Sequence, residues 1–403
     1  MRVLPKLLRL AALLIVGPGL SAAGCALAAG CAPAAERPTE LGSRRAPAPP
    51  ASAPEGRETG RAPGPPDVGE CPAVDPRAGA ADGGPIGTSP PRGAPHPGIT
   101  AALEAITKPL LVRDFDALAK PRHHRTAPAQ LTAAAGYVKS ELGGLGFEVT
   151  TQRVTFRGAA AADNVIGERA GEDPSRVVIV CAHYDAVRGT PGADDNASGV
   201  VGALGIARAA ATVRTTASVR VIAFAFEEQG LVGSAAYARS LSAADRARII
   251  GVLNLDMIAY RDARPGSQRN MLDHGTIAEP GSAGAGDFIA ALGLTESPEL
   301  FDALAAARIY EPGLRVETMT VPRPLLGSAS DLLRSDHASF WEVNVPALSI
   351  VDTAEMRNPH YHRPTDTIAS LDLDFALSVT RWAGAATLAL AGVKAGPAAR
   401  AHE

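Results

Sequence analysis

Four short apolar runs recur along the chain, and polar residues follow each of them. The runs are SRVVIVCA (175–182), SVRVIAFAF (218–226), IIGVLNL (249–255) and VPALSIV (345–351). Continuous apolar runs of this length are typical of strands that are buried on both faces of a sheet. Helical patterns lie between and after them, from Ser198 to about Ala211 and from about Leu373 to Leu390. This alternation predicts an α/β fold with a mostly parallel or mixed sheet covered by helices on both faces.

The segment before the first run also has regular patterns. AQLTAAAGYVKSELGGLGF has apolar residues at helical spacing and ends in glycine, whereas FEVTTQRVTF alternates as a strand does. Between about residues 261 and 335 the pattern breaks into Gly- and Pro-rich stretches with one short helix. We interpret this part as a lid-like insertion over the edge of the sheet.

The first 31 residues have the layout of an export signal. Arg2, Lys6 and Arg9 precede an apolar run, and small residues follow it. Small residues also precede Cys25 and Cys31, as in bacterial lipoprotein processing sites, although the larger aliphatic residue usual three positions earlier is missing. A cleaved signal, a lipid anchor at either cysteine and an N-terminal anchor helix all stay open. We expect an exported protein, secreted or in the periplasm or cell envelope, with a lipid anchor as its one route to a membrane.

Composition divides the rest of the chain. Residues 32–97 are dominated by Pro, Ala, Gly and Arg, which cannot build a core, so we expect a disordered linker. The domain itself should span residues 98–395, with a short tail at 396–403.

The formal net charge of -3 and the absence of a basic block argue against nucleic-acid binding. Cys181 lies inside an apolar run, which favours a small buried side chain over a nucleophile.

The polar residues that follow the apolar runs include several metal-ligand types. His183 and Asp185 follow the first run, Glu227 and Glu228 the second, and Asp256 the third. His360 and His362 follow the fourth, in NPHYHRPTDT, and the acidic loop PGADDNASG lies between the first run and a helix. In open α/β sheets, ligands bind outside the carboxyl ends of the strands. The pattern therefore predicts that these side chains meet at one edge of the sheet.

Taken singly, these residues have ordinary structural explanations. His183 could be a hydrogen-bonded core histidine, the two glutamates could open a helix, and Asp194 and Asp195 could form a turn and an N-cap. Asp256 is different, because burying an unpaired carboxylate is unfavourable and a cation would relieve it. Together, carboxylates and imidazoles suit Zn²⁺, with other divalent ions open, and the lack of cysteine ligands indicates a catalytic site.

The same motifs resemble those of a known family. HYDAV, PGADDNASGV, FAFEEQGLVGS, NLDMI, SDHASFW and NPHYHRPTDT are similar, in order and spacing, to the successive motifs of metallopeptidase family 28, the di-zinc aminopeptidases. The resemblance covers roughly residues 100–395. It implies a three-layer α/β/α sandwich with a mixed sheet, two Zn²⁺ ions, peptide substrates and a cis peptide bond after the bridging aspartate.

The resemblance also implies a role for each site residue. Asp195 would bridge both ions, His183 and Asp256 would complete one site, and Glu228 and His362 the other. Glu227 would be the general base for a water held by the metals, and Asp185 would hold the ring of His183. Asp194 would not be a ligand, and His337 and His360 would be neighbours of the site.

Three alternative functions remain on the same fold. Glutaminyl cyclases resemble the chain at HYD, EE and SDH, but they carry a tryptophan where this chain has Tyr361. A carboxypeptidase would need a basic pocket that no motif locates. A non-catalytic binding relative would have lost ligands or the base, and all six positions are present here.

Overall fold

A mixed eight-stranded sheet forms the centre of the protein in this computed structural model, which describes residues 94–158, 160–269, 284–328 and 330–397. The strands are β1 Glu148–Phe156, β2 Ala160–Arg169, β3 Asp173–His183, β4 Val213–Thr215, β5 Ala217–Phe224, β6 Ile249–Leu255, β7 Ile289–Leu294, β8 Val316–Val321, β9 Ala347–Val351 and β10 Val393–Pro397. The sheet order is β1-β2-β5-β3-β6-β9-β7-β8, and β4 pairs with β10 apart from it.

The four strands predicted from apolar runs lie side by side. They are β5, β3, β6 and β9, and each is parallel to its neighbour. Their side chains are almost all buried, because helices cover both faces of the sheet. The antiparallel pairs lie towards the edges, at β1-β2, β2-β5 and β7-β9.

Helices pack on both faces of this sheet. They are α1 Pro97–Leu103, α2 Lys108–Leu118, α3 Pro128–Gly144, α4 Gly199–Ala211, α5 Val232–Ser240, α6 Ala243–Arg248, α7 Pro298–Ala307, α8 His337–Glu342 and α9 Leu373–Ala391. Val178 and Val180 of β3 face the core formed with α1 to α4, α7 and α9. Ile179 and Cys181 face the opposite core, formed with α5 and α8. The predicted three-layer α/β/α architecture is therefore confirmed.

The segment interpreted as a lid contains part of the sheet instead. Residues 289–321 form β7, α7 and β8, and the two strands make the outer edge beyond β9. VETMTV alternates as a strand does, but IAALGL contains Ala and Gly, which are uncommon in strands, and both segments lie among Gly- and Pro-rich stretches, so neither strand was predicted. Short single turns at Arg323–Ser328 and Ser330–Leu333 complete the region.

Two further helices precede the first one that the sequence indicated. Helices α1 and α2 lie before α3, and His123 and His124 lie on the connection between α2 and α3. The expected signal, Cys25, Cys31, nearly all of the linker and the C-terminal tail lie outside the described residues. Within the described ranges, no helix has both the length and the apolar character that crossing a bilayer requires.

A close backbone contact joins the start of α4 to the end of β6. A Cβ atom on Gly199 would lie 2.2 Å from the carbonyl oxygen of Leu255 and 2.4 Å from Oδ1 of Asn196. We expect Gly199→Ala to lower the free energy of unfolding by about 1–3 kcal/mol, because the backbone must move to admit the methyl group.

The matched control is Gly136→Ala in α3, where a Cβ atom would meet nothing within 4 Å. That change should raise the free energy of unfolding by roughly 0.5–1 kcal/mol, because alanine favours a helix over glycine. Denaturant titrations of both variants measure the effect. Equal midpoints for Gly199→Ala and the unsubstituted protein would show that α4 can move away from β6 without a loss of stability.

Candidate metal centre

The predicted site residues come from the carboxyl ends of the central parallel strands. His183 is the last residue of β3, and Asp256 directly follows β6. Glu227 and Glu228 follow β5 by three and four residues, and His362 lies on the loop after β9. Because these strands run in the same direction, their carboxyl ends lie at one edge of the sheet.

One group of side chains surrounds His183, which is buried with 1% of its surface exposed. Its Nε2 atom lies 3.4 Å from Oδ1 of Asp195 and 3.5 Å from Oδ1 of Asp256. Oε2 of Glu227 lies 3.9 Å from the same nitrogen. Donor atoms of His183, Glu227 and Asp256 all lie within 4.8 Å of one another, close enough to surround one ion.

A second group adjoins the first through Asp195. Nε2 of His362 lies 3.0 Å from Oδ2 of Asp195 and 3.6 Å from Oε2 of Glu228. His183, Asp195 and Glu228 likewise offer donor atoms within 4.8 Å of one another. Asp195 thus faces one histidine with each of its two oxygens.

The loop that carries Asp195 is an irregular turn, Ala193–Ser198. The Asp195–Asn196 peptide bond is cis, as the family resemblance implies. Asn196 anchors the turn by donating a hydrogen bond from Nδ2 to the carbonyl oxygen of Leu255 and accepting one from the N–H of Met257. The turn is thereby fixed against the end of β6, beside Asp256.

The side chain of Asp194 contacts other residues than the two histidines that face Asp195. Its Oδ1 accepts a hydrogen bond from the N–H of Ala259, and its Oδ2 accepts one from Nδ2 of Asn358 at 2.7 Å. Burial and the nearby Asp366 raise the pKa of Asp194 to about 7. Both carboxylate oxygens are therefore occupied by the protein, in keeping with the expectation that Asp194 is not a ligand.

The electrostatics of the cluster favour a bound cation. Burial and neighbouring carboxylates raise the pKa values of Glu227 and Glu228 well above their usual range. Burial opposes the charged form of His183, yet Glu227 and the other acids around the ring raise its pKa. Asp195 has a lowered pKa although burial opposes this, because both histidines stabilise its charge.

An unpartnered ligand atom points to the same conclusion. Among the described residues, buried Oε1 of Glu228 has no hydrogen-bond partner. Four carboxylates gathered around two imidazoles in a buried site suit divalent metal ions, which would compensate the negative charge. The residues present therefore fit the ions that the family resemblance implies.

Asp185 lies beside the ring of His183, as expected, and makes two further contacts. Its Oδ1 lies 3.6 Å from Nδ1 of His183, which is within ion-pair range but longer than a hydrogen bond. Its two oxygens also accept the backbone N–H groups of Glu227 at 3.1 Å and Glu228 at 3.3 Å. Asp185 therefore holds the backbone that presents both glutamates.

The other histidines near the cluster and Cys181 have surroundings that fit structural roles. His337 is buried, its Nε2 contacts the carbonyl oxygen of Leu332 at 2.9 Å, and burial lowers its pKa to about 4. Nδ1 of His360 lies 2.9 Å from Oγ1 of Thr365. Burial raises the pKa of the Cys181 thiol, which excludes a reactive thiolate.

Other residues support the site and were not identified in the sequence. Ser335 donates a hydrogen bond to Asp256 and accepts one from Asn254. The carboxylate of Asp366 accepts the backbone N–H groups of Asp194 and Asp195, at 2.8 and 3.2 Å. Asn254 could have been noticed as a polar residue inside an apolar run, and Asp366 through its place in NPHYHRPTDT.

The sequence profile of peptidase family M28 matches residues 164–387. The uncharacterized protein YfbL of Escherichia coli is 33% identical over 255 residues, which cover 60% of this chain and 75% of YfbL. Leucine aminopeptidase 2 of Trichophyton rubrum is 28% identical over 226 residues, which cover 52% of this chain and 41% of that protein. The chain thus spans less than half of that aminopeptidase.

Solved structures agree with the assignment of the fold. The aminopeptidase from Aneurinibacillus sp. strain AM-1 superposes with a TM-score of 0.58 at 18% identity, covering 73% of this chain and 97% of that one. BSAP, a zinc aminopeptidase from Bacillus subtilis, gives 0.55 at 16% identity, with 72% and 96% covered. The glutaminyl cyclase of Macrostomum lignano gives 0.55 at 18% identity, with 74% and 94% covered. The profile match covers more than half of the chain and includes every residue of the cluster at the sheet edge, and this chain belongs to peptidase family M28.

Proposed function

We propose that this protein is a zinc-dependent aminopeptidase with two adjoining metal sites. The position of Asp195 carries the proposal, because its two oxygens face His183 at 3.4 Å and His362 at 3.0 Å. A carboxylate between two histidines, each with a further carboxylate beside it, is the arrangement that two ions sharing one ligand would need. The zinc aminopeptidase of Bacillus subtilis, which shares the fold, supports zinc as the metal.

The residues divide between the two sites by their distances. His183, Asp256 and one oxygen of Asp195 would hold the first ion, and His362, Glu228 and the other oxygen of Asp195 the second. Bound zinc supplies Lewis acidity, which polarises a peptide carbonyl and lowers the pKa of water. Asp185, Ser335 and Asp366 would keep the liganding side chains and their backbone in place.

Glu227 is the residue that we assign as the general base. By distance alone it could also be a ligand, since it lies in one group with His183 and Asp256. Of the three carboxylates within 4 Å of Nε2 of His183, that of Glu227 is the farthest, at 3.9 Å against 3.5 Å for Asp256 and 3.4 Å for Asp195. A carboxylate that binds no metal keeps its basicity, so Glu227 can take a proton from water and give it to the leaving amine.

Burial tunes Glu227 for this role. The residue is 8% exposed, and burial raises its pKa well above the usual glutamate range. A general base is most effective when its pKa approaches the working pH, because it must both accept and release a proton. The hydrogen bond from its backbone N–H to Asp185 fixes the main chain that carries the glutamate.

A set of matched peptides tests the proposed activity. Each peptide is offered to the purified protein with zinc, once with a free N-terminus and once with an acetyl cap, and mass spectrometry follows the products. We expect stepwise loss of N-terminal residues from the free peptides alone.

Each other product pattern points to a different function. Loss from the other end would assign a carboxypeptidase, and loss of ammonia from N-terminal glutamine a cyclase like that of Macrostomum lignano, which shares the fold. If no peptide changed, the protein would be assigned as a non-catalytic relative.

A further inference from the structure

An arginine outside the matched family region is buried beside the metal centre. Arg122 lies on the connection between α2 and α3, and 1% of its surface is exposed. Its hydrogen bonds in the described part of the chain all go to backbone carbonyl oxygens. The acceptors are those of Leu118, Lys120, Tyr184, Pro191 and Gly192.

Three of these carbonyl groups belong to the loop that joins two proposed ligands. Nε of Arg122 donates to Tyr184, directly after His183, at 2.7 Å. Nη1 donates to Pro191 at 2.8 Å and Nη2 to Gly192 at 2.9 Å. Gly192 precedes the turn that carries Asp195, and its carbonyl group also accepts the N–H of Ala197. One side chain thus holds both ends of the loop 184–192.

The charge of Arg122 is retained in this buried place. Burial lowers its pKa to about 10, while the charges of Asp185, Asp366, Asp195 and Glu228 oppose that decrease. At neutral pH the guanidinium is therefore protonated. The remaining two carbonyl acceptors are those of Leu118, the last residue of α2, and Lys120, two residues beyond it, so the loop is tied to the end of that helix.

We propose that Arg122 is a positioning residue that sets the separation of His183 and Asp195 by holding both ends of the loop between them. The inference rests on the proposed function, in which these two residues share one metal ion. Their facing atoms are 3.4 Å apart. A loop free to shift at either end would present the two ligands at variable separation, and metal affinity would fall.

Lysine is the informative replacement at this position. Arginine carries five N–H donors in a rigid plane, whereas the lysine ammonium has three donors at one point. A lysine keeps the positive charge and most of the volume, yet it cannot reach the carbonyl groups of Tyr184 and Gly192 together. Arg122→Lys therefore separates the effect of the hydrogen bonds to both ends of the loop from the effect of the positive charge.

The experiment measures zinc affinity by competition with a chromophoric chelator, and the absorption spectrum of the cobalt-substituted protein. We expect Arg122→Lys to bind at least one ion about 10–100-fold more weakly, as when partners of metal ligands are removed. The cobalt bands should also shift, because the ligand geometry changes. Neither readout depends on turnover, so a wild-type protein that cleaves no peptide would refute the proposed function and leave this inference open to test.

Arg208→Lys is the matched control. Arg208 is also a buried arginine, but it lies nine residues beyond Gly199 on α4, about 13 Å along the helix. We expect that variant to bind zinc as the unsubstituted protein does. Equal affinities in all three proteins would overturn the inference, and so would an equal fall in both variants, which would indicate general destabilisation.

A second variant serves if Arg122→Lys does not fold. Oγ1 of buried Thr190 accepts the N–H of Gly192 at 2.7 Å, within the same loop. Thr190→Val keeps the shape and removes this acceptor, which should weaken zinc binding about fivefold if one hydrogen bond holds the loop. Unchanged zinc affinity in Thr190→Val would refute the role of the loop.

Discussion

Replacing Glu227 with glutamine is expected to lower kcat about 10²–10⁴-fold while leaving the zinc content unchanged. Glutamine has nearly the same shape as glutamate, but its amide cannot accept a proton from water at neutral pH. The substrate-binding surface is preserved, so KM should change little. Turnover of a peptide with a free N-terminus gives kcat, and elemental analysis of the same preparation gives the number of ions for each chain.

Glu228→Gln is the matched comparison, since the same change is made at the adjacent residue. There we expect the loss of one ion together with the loss of activity, because Oε2 of Glu228 lies 3.6 Å from Nε2 of His362. If Glu227→Gln also lost an ion, Glu227 would be a ligand. Wild-type turnover in Glu227→Gln would contradict the mechanism altogether.

Removal of Arg208 should lower the free energy of unfolding by about 3 kcal/mol, the lower end of the range for breaking a buried ion pair. Arg208 on α4 binds both carboxylate oxygens of Asp114 on α2, and it also binds Glu141 on α3 at 2.7 Å. Asp114 is fully buried. In Arg208→Met this carboxylate keeps its bonds from Tyr137 and Arg113, which limits the loss.

Denaturant titration measures the effect, and two further variants define its cause. Asp114→Asn combined with Arg208→Met should regain part of the stability, because the uncompensated charge is gone. Arg153→Met removes an exposed ion pair with Asp163 and should change the free energy of unfolding by less than about 1 kcal/mol. If Arg208→Met were as stable as Arg153→Met, the ion pair between the helices would contribute little.

The central strands and the cluster could be anticipated because their signals are local. The apolar runs of β3, β5, β6 and β9 are continuous, and the polar residues that follow them indicate a functional edge. The strands β7 and β8 carry no such signal. Pairing rather than composition makes them strands, because β7 pairs with β9 and β8 pairs with β7.

The contacts that support the site could not be predicted in this way, because they join residues that are distant in sequence. Arg122 and Asp366 act through backbone atoms of residues far along the chain. Asp366 at least lies in the motif NPHYHRPTDT, whereas nothing near Arg122 in the sequence indicates a role. Asp185 was identified beside the ring of His183, but its hydrogen bonds to the N–H groups of Glu227 and Glu228 were not. Residue types can be read from a sequence, whereas backbone partners depend on the folded loop.

The order of the strands along the chain also determines the order in which the residues of the two metal sites are synthesised. His183 ends β3, Asp195 lies on the turn before α4, and Asp256 directly follows β6, so these three residues are all present once synthesis has passed Asp256. His362 follows β9, which enters the sheet beside β6 only after β7 and β8 have been made. Such pairing between distant segments forms slowly during folding. The ligands of the two halves are therefore made at different times, and a nascent chain that ends before His362 lacks both this ligand and Asp366, which holds the backbone of Asp195.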